Sequence, residues 1–244
     1  MWGGAVERGG APNRVQSDAM TLPVIDIPRN IDIFKKSDGK DAGRDPEGRY
    51  ASFDYCFNHF QSFRTKNAVS EIASQKNLET SCLQLGFYLA SWGMLRGSSF
   101  LLQKSIKFYE RLINDIAKFN PTVWNIDVDR YQEDATVLLL LECKEMIATA
   151  LGLPNRASDT LITKIMLGIF GNVPAFDTFF CTGFGVGAFG MKSLAKISAF
   201  YQANKSEIDS QRIATFEFLS GKESEIFYSK AKIIDMVGVI EGDK

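Results

Sequence analysis

Histidine is almost missing from this chain: His59 is the only one among 244 residues, and the four cysteines, Cys56, Cys82, Cys143 and Cys181, lie far apart with no CxxC pair. That scarcity excludes a Cys/His zinc site, a disulfide-dense scaffold and any mechanism that needs two histidines. The thiols are expected to be reduced and mostly buried in a cytoplasmic protein, and His59, inside the aromatic run YCFNHFQSF, is expected to be structural. Excess charge is lacking too. A formal net charge of −1 removes the long-range attraction that draws basic proteins to nucleic acid or anionic membrane, so either partner would need a local basic patch. The N-terminus, MWGGAVERGGAPNRVQSDAM, has no apolar core of a secretory signal and is expected to be a disordered leader over residues 1–20, with Met20 a candidate start. The most apolar stretch, Leu161 to Met191, is broken by Lys164, Pro174, Asp177 and several glycines, which fits buried core better than a membrane span.

What is present is helical. A hydrophobic fraction of 45% with 23% charged residues supplies enough apolar surface for a core and argues against wholesale disorder. Residues 21–49 read as an extended arm, interrupted by Pro23 and Pro28, followed by an exposed loop, SDGKDAGRDPEGR. Beyond it, apolar spacings of three and four predict helices at Tyr50 to Arg64, Leu78 to Leu95, Ser99 to Phe119, Ala135 to Leu151, Asp159 to Phe170, Ala175 to Cys181, Met191 to Asn204 and Lys222 to Ile240. Ser220 with Glu223 has capping-box spacing for the last of these. The expected architecture is all-α: a multi-helix globular domain over residues 50–244.

Four motifs carry chemistry. In TKIMLGIFGNVPAFDTFF, Lys164 and Asp177 are the charged residues of an otherwise apolar segment. A lysine there is either a nucleophile with depressed pKa or a snorkelling side chain, and Asp177 is either catalytic or a carboxylate at a helix start, with Pro174 in that helix's first turn. In WGMLRGSSF, Arg96, Ser98 and Ser99 form a candidate anion or nucleic-acid site, or simply an N-cap in a tight turn. GVGAFG matches the glycine pattern of a dinucleotide loop, yet a helical pattern rather than a strand precedes it, which favours an inter-helix loop. NIDVDRYQED supplies Asp127, Asp129, Glu133 and Asp134 without the glycine and terminal glutamate of a calcium loop, and reads as a solvated loop entering a helix. No metal and no cofactor is expected.

A helix, a loop with Leu153 and Pro154, a second helix carrying Lys164, then Val-Pro and Asp177 before a third helix: this order resembles the helix-hairpin-helix DNA glycosylase superfamily. The resemblance implies a helix-hairpin-helix-like C-terminal half, DNA as partner, Asp177 as the catalytic acid and Lys164 as the nucleophile some members use. The hairpin here reads LPNRASDT where the family has Gly-x-Gly, and the Lys-to-Asp interval is shorter. The segment also resembles bacterial helical proteins of no assigned activity that share a Pro-aromatic-Asp element. Two functions follow as expectations: a nucleic-acid-associated helical binding protein, which the near-neutral charge and the altered hairpin favour, and a base-excision enzyme of the glycosylase/lyase kind using Asp177 and Lys164.

Overall fold

A computed structural model describes residues 21–36, 43–152 and 157–244. The leader at 1–20 and the Leu153-Pro154 pair lie outside them. The described chain is mainly helical, with one two-stranded antiparallel sheet.

The arm expected to be extended contains a helix, α1 (Ile27–Lys35). Asp26 caps it by accepting from Arg29 N at 3.1 Å, and Pro28 occupies the first turn, where a missing N–H costs nothing. Pro28, one of the two prolines that argued against a strand, thus marks a helix start. Three helices form the centre: α2 (Ala51–Thr65), α3 (Leu78–Ser91) and α6 (Asp159–Phe170) all pack on one another. Gly168 lets α6 approach α3, since a Cβ there would press into the Tyr88 ring, and the Tyr88 hydroxyl donates to the Lys164 carbonyl at 3.1 Å. Helices α4 (Glu110–Lys118) and α5 (Asp134–Ala150) flank this centre.

The single helix expected over Ser99 to Phe119 is instead three pieces: 3₁₀ turns at Phe100–Gln103 and Ile106–Tyr109, then α4. Extended backbone at Lys104 and Ser105 makes the break, and it brings Phe100 and Phe108 together with ring centroids 5.8 Å apart. Aromatic burial outweighs helical continuity there.

The C-terminal part holds α7 (Thr178–Phe184), α8 (Met191–Ala203), α9 (Lys205–Asp209) and α10 (Lys230–Gly242). Between α9 and α10 the chain forms strands β1 (Ala214–Phe216) and β2 (Glu223–Phe227), paired Ala214 to Phe227 and Phe216 to Glu223. This corrects the helix start at Lys222, while the predominance of helix keeps the described chain consistent with the all-α expectation. Ser220 bonds within the turn, its hydroxyl donating to Glu217 at 2.7 Å, while the true cap of α10 is Ser229, which accepts from Lys232 N at 3.1 Å. The hairpin docks on α2: Asp54 accepts from Phe216 N and the Tyr228 hydroxyl, and Arg44 bridges Asp54 to the Ala214 carbonyl.

At Gly183 and Gly242, helices α7 and α10 meet through backbone atoms. A Cβ on Gly183 would overlap the Gly238 carbonyl oxygen, and one on Gly242 would overlap the Phe179 carbonyl oxygen. Close backbone approach therefore requires glycine at both positions.

Asp127 is not solvated as expected. It is half-buried and accepts from Lys230 N at 2.8 Å and Ala231 N at 2.9 Å, so it caps α10 from a distant part of the chain, and burial raises its pKa to about 6 against the stabilising pull of those amides. His59 lies 2.9 Å from Ser81 Oγ, whose proton is given to the Ile72 carbonyl, so His59 Nε2 is the donor; burial lowers its pKa to about 4.

These two groups act oppositely on stability. A raised folded pKa at Asp127 stabilises the fold as pH falls from about 6 toward 3.8, whereas the lowered value at His59 removes stability as pH falls from 6.5 toward about 4. Urea midpoints of the parent protein should therefore change little between pH 6.5 and 4. Asp127→Asn should lose up to about 3 kcal/mol more than the parent over that interval, and His59→Gln should gain stability on acidification.

Candidate functional site

Ser158 opens α6 by accepting from Leu161 N at 3.3 Å, and Gly171, with φ +68, closes it in the left-handed conformation typical of a helix C-terminus. All residues from Leu161 to Phe170 are buried, so Lys164 is a cation in an apolar helix. Its ammonium donates to the Trp92 carbonyl at 2.9 Å, just past the end of α3, where helical carbonyls lack an intrahelical partner. It also lies 3.4 Å from Asp177 Oδ2 and 5.9 Å from the Trp92 ring centroid.

Asp177 arrives by a different route. Val173 to Phe176 run as a buried segment pinned to α6, with Thr163 accepting from Phe176 N at 2.8 Å and Thr160 donating to the Phe176 carbonyl at 2.8 Å. The helix expected at Ala175 begins at Thr178, so Pro174 precedes it and Asp177 is its N-cap, Oδ1 accepting from Phe180 N at 3.0 Å. One oxygen of Asp177 thus fixes the start of α7 while the other faces Lys164.

Both side chains line a cleft of about 580 Å³ together with Phe34 of α1, Tyr50, Trp92, Ala175, Phe179 and Asp235. Arg29, Lys36, Arg49, Arg96 and Lys244 give the cleft cationic groups, joined by Asp243; Lys36 pairs with Asp32 and Lys244 with Glu241. Arg96 is exposed and lies back over Gly93. Ser98 and Ser99 do not line this cleft. Ser98 is exposed, and the Ser99 hydroxyl accepts from Leu101 N at 3.3 Å and donates to the Met94 carbonyl at 2.6 Å, capping a 3₁₀ turn.

Sequence reasoning missed two residues on α10. Lys232 and Asp235 are almost wholly buried and pair at 2.8 Å, and Asp235 Oδ1 also accepts from Ala175 N at 2.9 Å, next to the Asp177 segment. The Lys232 ammonium stands 4.4 Å from the Trp92 centroid, 4.7 Å from Phe53 and 5.4 Å from Phe34. The available signal was a Lys and an Asp three residues apart in an otherwise apolar run, KIIDMVGVI. Trp92 thus carries one lysine on its carbonyl and another over its ring.

Burial lowers the pKa of Lys164, and Asp177 and Asp235 oppose that by favouring the ammonium. A less basic amine beside a carboxylate, in a recess walled by aromatic rings, is equipped for nucleophilic attack followed by proton transfer. GVGAFG is not a nucleotide loop: Gly185 ends α7, Gly190 caps α8, and no strand precedes it. Among the described residues no group of three His, Cys, Asp or Glu could hold a metal ion, and no helix is long and apolar enough to cross a membrane. No family model, curated protein or solved structure matches this chain.

Asp177→Asn keeps an N-capping side chain but removes the charge beside a buried ammonium, so it should cost about 1–3 kcal/mol, less than a fully buried pair because the site is partly open. Asp177→Ala should cost roughly 1 kcal/mol more through loss of the cap. Urea unfolding of the three proteins separates the two contributions, and equal stability of the Asn and Ala variants would remove the capping role.

Proposed function

We propose that this protein is a DNA base-excision enzyme of the glycosylase/lyase kind, with Lys164 as nucleophile and Asp177 as its proton acceptor. The observation that carries the reading is the meeting of the two side chains, 3.4 Å apart, inside a cleft of about 580 Å³. That volume lies within the range of small-molecule pockets, ~300–1,000 Å³, and suits one extruded nucleotide. Trp92 and Tyr50, with ring centroids 5.0 Å apart, give the cleft an aromatic wall against which a base can pack, and the cationic groups at the cleft suit the phosphates on either side of it.

The chemistry follows from the amine. Lys164 passes a proton to Asp177, and its lone pair attacks C1′ of the deoxyribose. The C1′–N bond breaks, and the base leaves with the bonding pair and takes the proton held by Asp177. Nζ then gives a second proton to O4′ as the C1′–O4′ bond opens, and a protonated Schiff base joins Nζ to C1′.

A second reading is a nucleic-acid-binding module without chemistry. It is favoured by the structural employment of both residues, Asp177 as a helix cap and Lys164 as donor to the Trp92 carbonyl.

Borohydride trapping on abasic and damaged-base duplexes at low salt distinguishes the two. A covalent adduct is expected with the parent protein and none with Lys164→Ala, and Asp177→Asn should slow its formation by about 10²–10⁴-fold. Binding without an adduct on any substrate would leave the module. Absence of binding would remove both readings. Arg96→Ala should weaken binding and reduce the salt slope by about one.

A further inference from the structure

The cleft holds a second carboxylate whose placement threatens the nucleophile. Asp235 lines the same recess as Lys164, and a free carboxylate there would compete with Asp177 for the ammonium and hold it protonated. It is not free. Its Oδ2 is 2.8 Å from Lys232 Nζ and its Oδ1 accepts from Ala175 N at 2.9 Å. We propose that Lys232 is a positioning residue for Lys164: seated over Phe34, Phe53 and Trp92, its ammonium occupies the Asp235 carboxylate and so weakens that carboxylate's hold on the Lys164 ammonium.

Three observations converge on this role. A lysine with its side chain 1% exposed has no solvent to hold its charge, and the three aromatic faces within 5.4 Å, together with Asp235, replace it. Trp92 is common to both lysines, so the cage and the nucleophile are built on one residue. Asp235 also holds the backbone of Ala175, two residues before Asp177, which ties the pair to the proton acceptor as well. The charged groups that act on Lys164 are Asp177 from the start of α7 and Asp235 and Lys232 from α10, and the cleft they share is also lined by Arg29, Lys36, Arg49, Arg96, Asp243 and Lys244.

The inference rests on Lys164 being the nucleophile, but its test needs no nucleic acid. The pH dependence of trace acetylation of Lys164 by acetic anhydride, followed by peptide mass spectrometry, reports how readily that amine loses its proton. The parent should show a midpoint below the ~10.4 of an ordinary lysine, and Lys232→Arg should keep it. Lys232→Met should raise the midpoint by about one unit, a roughly tenfold slower acetylation at a fixed pH below it. If Lys232→Met does not fold, as judged by near-ultraviolet circular dichroism, Asp235→Asn gives the converse: removing the carboxylate while keeping the cation should lower the midpoint. A midpoint unchanged in Lys232→Met, or unchanged in Asp235→Asn, overturns the proposal. Failure of borohydride trapping with these shifts present would instead reject the base-excision reading and leave the charge arrangement standing.

Discussion

The backbone contact between α7 and α10 is the constraint on which the cleft depends. Gly183 and Gly242 allow the two helices to touch through main-chain atoms, and Gly238 leaves room for the rings of Phe180 and Phe184. Asp177 is the cap of α7, and Lys232 and Asp235 sit on α10, so this contact sets the distance between Asp177 and the Lys232–Asp235 ion pair. A methyl group at either contact would have to displace backbone, because no flexible side chain is there to yield. Asn30 of α1 adds a clamp on the outer side, donating to the Val237 carbonyl and to Glu241.

Four charges then meet in a largely apolar setting, two lysines and two aspartates, and each is compensated by a different means. Lys164 has a carbonyl and a carboxylate, Lys232 a carboxylate and three rings, Asp177 a backbone amide, and Asp235 both a backbone amide and a lysine. Charges removed from water are costly unless matched in this way. The matching is tightest around Lys232 and Asp235, where burial is greatest, and loosest at Lys164 and Asp177, where the pair is longer and the cleft opens. Burial therefore separates a pair closed off in the core from a pair that faces the cleft.

Much of this was legible in the sequence. Helix α6 was expected and found between Asp159 and Phe170, because Ser158 is a start signal, Gly171 a stop signal, and the residues between them are mostly apolar. Lys164 and Asp177 stood out for the same reason that makes them costly, namely charge in an apolar run. Their separation was not legible, since it depends on the buried segment from Val173 to Phe176 and its bonds to Thr160 and Thr163. Lys232 and Asp235 were hidden because their compensation comes from Phe34, Phe53, Trp92 and Ala175, all remote in sequence. The strand β2 was missed because Ser220 and Glu223 have a spacing that suits a helix cap as well as a hairpin turn. Asp127 was misread for a related reason: the amides it accepts from belong to α10, a hundred residues on.

The order of the chain has a bearing on how this cleft comes into being. α10 follows every other described element, yet it supplies the partner of Trp92, the carboxylate at Ala175 and the wall formed by Val239 and Ile240. During synthesis, α6 and the Asp177 segment emerge first, at a stage when neither Lys232 nor Asp235 has been made. Lys164 and Asp177 can meet at that stage, but the recess around them cannot close. Completion of the cleft is thus deferred to the docking of α10 onto α7, and a nascent chain lacking that helix has Lys164 and Asp177 without the wall that encloses them.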